Sequence, residues 1–272
     1  MIDLFTLGFL QRALVAGVLV SLLCGVLSCF IILRRMAFIG VGISHSAFGG
    51  VTLGFLLGLD PLWTGIGFSV AVALLIEWAQ AHTRVEEDTA IGIFFASSMA
   101  LGVVFLHLSR TYNVDVFGFL FGNILAIGNQ QIVEILVVTG CVLAFLLAFF
   151  KEFVFLSFDE EMAWVSGVPV RTLRYLFLVM LALVIIVSIY LVGIILVSAL
   201  LVIPGAVAQN LCQQLKGMIW TSVAVAVGSA VGGLGLSSGV DFPSGATIVL
   251  VLAALYLFTS LLRPWRRRWR QH

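Results

Sequence analysis

Residues 170–192 read VRTLRYLFLVMLALVIIVSIYLV, a run whose two charges, Arg171 and Arg174, both stand near its start. A helix needs about 20 mostly apolar residues to cross a bilayer, so this stretch is long enough to span. Working outward, runs of the same kind lie at 10–33, 38–59, 62–80, 89–108, 130–150, 194–213, 218–237 and 244–262. A further apolar stretch, 115–128, is too short to span comfortably and carries Gly118, Gly122 and Asn123, so it reads as a re-entrant or surface helix. The expected fold is an all-α polytopic membrane helix bundle of about 8–10 transmembrane helices. It is expected to form a single membrane domain over residues 1–272.

Composition agrees. The chain is 62% hydrophobic and 10% charged, with a mean hydropathy of +1.20. Soluble domains carry roughly 25% charged residues, so the solvating groups of a water-soluble protein are missing. A net charge of +1 argues against nucleic acid as a partner. Cys24, Cys29, Cys141 and Cys212 all lie inside apolar runs with no C-x-x-C spacing, and they read as buried thiols packing like small hydrophobes. No cleavable signal is expected, because the first residues lack a basic segment and the first apolar run ends at Arg34 and Arg35.

Basic residues set the orientation. With nine crossings and the C-terminus inside, the inner loops hold Arg34, Arg35, Arg84, Lys151, Arg171, Arg174 and Lys216, together with the tail over 263–272. Twelve of the fourteen Lys and Arg residues then face the cytoplasm. Small residues recur every fourth position at Gly17–Ser21–Gly25–Cys29, Gly50–Gly54–Gly58 and Ala224–Gly228–Gly232. Such stripes let helix backbones approach closely in lipid and read as packing faces.

The chain has only two lysines, Lys151 and Lys216, and neither follows a glycine, so it holds no phosphate-binding loop. Any energy from nucleotide hydrolysis must come from another subunit. Three segments stand out. The first is the loop over about 157–170, where Asp159, Glu160 and Glu161 at a helix start suit the helix dipole and Gly167 and Pro169 end the helix. It reads as a docking element for a cytoplasmic protein or as a plain solvated loop. The second is Phe38 to Gly50, where His45 lies inside an apolar run. An ionisable group at membrane depth is a functional candidate and imidazole is a common metal ligand; the competing reading is a hydrogen-bonded packing histidine. The third is Gly235 to Ile248, where Asp241 and Pro243 make an outer turn and Ser244 can cap the last helix. Within it Gly235-x-Ser237-x-Gly239 matches a nucleophile elbow only formally, since the strand-turn-helix context is missing and His272 lies on the other side.

Taken in order, several runs resemble the zinc/manganese/iron permease family of ABC importers. They are Arg34 to Gly40 with Ser44-His45, Leu120 to Ala126, Asp159 to Ala163 with Gly167-Val168, Val192 to Ala206, and Asp241 to Val249. The resemblance implies a permease with a type II-like importer fold, not itself an enzyme, that passes a divalent transition metal, zinc first with manganese or iron next. It further implies a homodimer around a central path in the plasma (inner) membrane of a bacterium or archaeon. Cytoplasmic ATP-binding subunits and an extracytoplasmic metal-binding protein are the implied partners. No permanently bound cofactor is implied; the metal is cargo. Asp159, Glu160, Glu161, Gly167 and Val168 then inherit the role of receiving the ATPase stroke, and His45 that of a metal ligand in the path. Two positions depart from the family pattern. Val41 stands where relatives carry an Asp four residues before the histidine, and Asn123 replaces the Asp of the Leu-Phe-Gly-Asp run. Losing a hard oxygen ligand weakens Mn²⁺ more than a nitrogen-tolerant ion such as Zn²⁺.

Other functions remain in view. An ABC permease for a metal chelate, siderophore or vitamin would need a wider path. A self-sufficient ion-coupled transporter should hold ionisable groups mid-span, yet Glu77 and Glu134 sit near helix ends.

Overall fold

The computed structural model describes residues 8–109, 122, 128–240 and 242–269. They form α1 (Gly8–Leu33), α2 (Ile39–Leu57), α3 (Pro61–His82), α4 (Glu87–Ser109), α5 (Asn129–Ala148), α6 (Phe150–Phe158), α7 (Glu160–Val165), α8 (Val170–Val192), α9 (Ile194–Leu211), α10 (Leu215–Val240) and α11 (Ser244–Trp269). Among the described residues, nine of these helices are long and apolar enough to cross a membrane, all but the short α6 and α7. The chain is therefore an all-α, multi-pass membrane protein. The expected short helix over 115–128 falls outside the described residues apart from Gly122 and Gly128, and Asn123 lies outside them too.

Helix limits follow local chemistry. Gly58 ends α2 in the left-handed region (φ 67°), where its N–H reaches the carbonyl of Gly54. Two residues later the Asp60 carboxylate accepts the N–H of Leu62 at 2.8 Å, and Pro61 opens α3 with its preset backbone angle. Gly193, at φ 84°, separates α8 from α9. The last helix runs on to Trp269, so much of the expected basic tail continues α11.

The helices pack as two compact units, each assembled from stretches far apart in sequence. The first holds α1, α9, α10, α11 and the start of α5. Its α1 presents Gly25, of the expected small-residue stripe, to α10. A Cβ on Gly25 would come within 3.0 Å of Val223 Cα, and Ser222 Oγ donates to the Gly25 carbonyl at 2.6 Å. Pro204 sits inside α9, where it lacks an N–H and disturbs the helical ladder. The next N–H, that of Gly205, donates to Ser28 Oγ on α1 at 2.8 Å, so a neighbouring helix supplies a partner beside the proline. The third stripe behaves differently: an added Cβ on Gly228 or Gly232 would meet nothing within 4 Å.

The second unit holds α2, α3, α4, α6, α7, most of α8 and the end of α5. Here α2 lies against α3 and α4 at near-contact distance. A Cβ on Gly50 would stand 2.8 Å from Gly65 Cα, and one on Gly54 would stand 2.9 Å from Pro61 Cα. On the α4 side, a Cβ on Gly49 would lie 2.8 Å from the Ser98 carbonyl oxygen. Only small residues allow this approach, which secures close packing where lipid supplies no hydrophobic drive between helices. Hydroxyls within α2 bond back along their own helix, Ser46 to the carbonyl of Gly42 at 2.8 Å and Thr52 to that of Phe48 at 2.9 Å.

Candidate functional site

Two sequence-derived candidates, the acidic segment and His45, both lie in the second unit. The acidic segment folds as expected into a short helix, α7, and both ends are closed by local bonds. Asp159 is its N-cap, accepting the N–H of Met162 at 2.9 Å. At the other end Gly167 adopts φ 83°; its N–H donates to Trp164 O at 3.0 Å, and Val168 N–H donates to Ala163 O at 3.1 Å. That pair of bonds is a Schellman motif, and it accounts for Gly167 and Val168 as structural terminators. Ala163 is fully buried and anchors the helix, whereas Trp164 and Val165 stand 72% and 71% exposed with Met162 and Phe158 beside them.

Glu160 and Glu161 part company. Glu160 Oε1 accepts Arg174 Nη1 at 2.9 Å. The same guanidinium reaches Glu77 on α3, with Nε 2.8 Å from Oε1, and its Nη2 lies 3.4 Å from Gln80 Oε1. One arginine near the start of α8 thereby ties α7 to α3. Glu161 is exposed and its carboxylate is available to a partner. In the sequence alone, Arg174 is an orienting charge and Glu77 a residue near a helix end. Their pairing depends on how two helices 97 positions apart rotate against each other. The exposed apolar group of Phe158, Met162, Trp164 and Val165 was also missed, although an apolar cluster interrupting an acidic loop was a visible signal.

His45 lies on α2, half-buried. Its Nδ1 is 2.9 Å from the carbonyl oxygen of Val41, and its ring meets Phe95 of α4 edge-on, centroids 5.0 Å apart at 79°. A carbonyl only accepts, so the hydrogen bond fixes the proton on Nδ1 and leaves the lone pair on Nε2. Imidazoles that ligate metals are commonly oriented by such a second bond. Along the first half of α2, Val41 and His45 are the half-buried positions among buried neighbours, four residues apart and so on one face. Among the described residues, no three His, Cys, Asp or Glu side chains converge as a metal-binding group. His45 is thus one donor, not a cage.

In the first unit, the turn before α11 has Ser237 Oγ donating to the Phe242 carbonyl at 2.7 Å, and the Pro243 carbonyl accepting from Thr247 Oγ1 at 3.0 Å. Pro243 therefore acts as a helix-start residue. Asp241 lies outside the described residues.

Comparison with known proteins bears on all of this. The pattern of the ABC 3 transport family matches residues 6–263. The "Manganese transport system membrane protein MntC" of Halalkalibacterium halodurans is 37% identical over 96% of this chain and 90% of its own length. The "Probable iron transport system membrane protein" of Haemophilus influenzae is 33% identical over 92% of each. Among solved structures, "PsaBC from Streptococcus pneumoniae in complex with Fab" superimposes with a TM-score of 0.84 at 36% identity, covering 94% of this chain and 92% of the other.

Proposed function

This chain belongs to the ABC 3 transport family, and on that premise we propose that it is the membrane permease of an ABC importer for a divalent transition metal. Manganese is the first candidate cargo and iron the second. The relatives reported above are named for those two metals, and neither is named for zinc, the metal the family resemblance put first. Donor chemistry pulls the other way, since Val41 offers no oxygen ligand beside His45. The near full-length likeness to a manganese-named chain outweighs the missing carboxylates, because backbone carbonyls and water are also hard donors.

In this reading the chain forms the path as a homodimer, each copy contributing His45. The excess of Lys and Arg supports a cytoplasmic position for α7. There the exposed Trp164, Val165 and Glu161 dock a separate ATP-binding subunit, and a metal-binding protein delivers cargo on the opposite face. Hydrolysis drives transport but takes place outside this chain, whose role is the path and its gating. The observation that carries the reading is α7 itself: a helix capped at both ends, anchored by Ala163 and pinned by Arg174, that nonetheless presents a large indole to solvent. Such a rigid apolar knob has the form of an interface anchor.

The test is biochemical. The purified permease alone should hydrolyse no ATP. Adding its ATPase subunit and loaded metal-binding protein should produce metal-stimulated hydrolysis. Robust hydrolysis by the isolated chain would overturn the proposal.

A further inference from the structure

The Arg174 guanidinium holds two carboxylates of different character. Glu77, on α3, has a side chain only 4% exposed, whereas that of Glu160, the first residue of α7, is 47% exposed. Glu87, at the start of α4, adds its charge to the same guanidinium. A buried carboxylate on a spanning helix is stranded if its cation leaves, while an exposed one exchanges a partner for water at little cost. The Glu77 arm is therefore the fixed one and the Glu160 arm the exchangeable one. Beside this clamp opens a cavity of about 280 Å³ lined by Glu77, His82, Glu160, Trp164, Arg171 and Arg174, which gives the exchangeable arm room to move.

We infer that Arg174 is a positioning residue of the transport cycle, the pivot through which movement of α7 enters α3 and reaches the helix that carries His45; this rests on the permease reading above. The route is continuous within the second unit. From Arg174 it passes through Glu77 into α3. From α3 it crosses to α2 where Gly50 faces Gly65 and Gly54 faces Pro61, contacts too close for either helix to tilt without the other. Close-packed elements transmit displacement as a body. On α2 it arrives at His45, whose ring is steadied by Phe95. Arginine suits the post because its planar fork grips two carboxylates at once; lysine offers a single point charge.

The experiment uses permease, ATPase subunit and metal-binding protein in proteoliposomes, with Mn²⁺ as the probe, and reads Mn²⁺ imported per ATP hydrolysed. Glu160→Gln breaks only the exposed arm. Arg174→Lys keeps Glu77 neutralised, so the bundle still folds, but loses the double grip. In complexes that still assemble, the ratio should fall at least about threefold for both variants, the scale on which losing one link alters coupling. A brace that merely supports the fold would lower the amount of assembled complex and leave the ratio unchanged. Two assembled variants with the wild-type ratio would overturn the pivot and leave the permease reading standing. A wild-type complex that imports no metal would overturn both.

Discussion

Arg174→Leu removes the cation from a carboxylate that has almost no access to water. The Glu77 side chain is 4% exposed and sits 2.8 Å from the arginine Nε. Removing one partner of a buried pair costs about 3–5 kcal/mol, because the other charge stays buried without compensation. The Glu160 arm offers a control within the same clamp. Its side chain is 47% exposed, and exposed pairs are worth only about 0–1 kcal/mol, so Glu160→Gln should be almost silent in stability. The double change Glu77→Leu with Arg174→Leu replaces the buried pair by apolar volume, which is commonly neutral or even stabilising by about 1–4 kcal/mol. The order of stability should therefore run wild type, Glu160→Gln and the double variant together, with Arg174→Leu well below. Reversible unfolding of the purified permease in mixed micelles, followed by circular dichroism, measures it. An Arg174→Leu chain no less stable than Glu160→Gln would refute the reasoning, as would a double variant worse than the single.

Other outcomes follow from the same geometry. His45→Ala should abolish or sharply slow metal uptake at unchanged expression; normal uptake by His45→Ala would leave the residue as packing. Val41→Asp places a carboxylate one turn from His45 and should raise the preference for Mn²⁺ over Zn²⁺ in competition assays. Trp164→Ala should weaken ATPase association by about 2 kcal/mol or more, the scale of an interface anchor, measured by co-purification, while Glu161→Lys should uncouple transport without loss of folded chain. Gly205→Leu should lower the folded yield by at least the roughly 1–3 kcal/mol of an overpacked contact, since its Cβ would stand 2.5 Å from the Ser28 carbonyl oxygen; melting of the detergent-solubilised protein reads that loss.

Spanning helices were legible in the sequence because a window of apolar residues long enough to cross leaves few alternatives in lipid. The 170–192 run is α8 to the residue, and 244–262 is the apolar part of α11. The acidic helix was legible for a local reason: an Asp N-cap at one end and Gly167 at the other both act within a few residues. What escaped was whatever depends on helix rotation. The sequence places Glu77 and Arg174 in separate spans, and nothing local says that they face each other. The stripes illustrate the same limit, since Gly25 is pressed against α10 while Gly228 and Gly232 face open space. The break at Phe149 between α5 and α6 carries neither Gly nor Pro, so no local signal marked it. For His45, the bond to the Val41 carbonyl follows from helical spacing, but its standing beside Phe95 required the fold.

In the proposed function, this chain passes a free divalent metal ion through a bilayer with energy supplied by another subunit. Element-resolved uptake into proteoliposomes holding the permease, its ATPase subunit and the metal-binding protein tests that most directly, with Mn²⁺, Fe²⁺ and Zn²⁺ offered together. Mn²⁺ should accumulate ahead of the others, only with ATP and only when all three components are present. ATP-dependent vesicles that accumulate none of the three ions, or that take up metal only as an organic chelate, would contradict the claim.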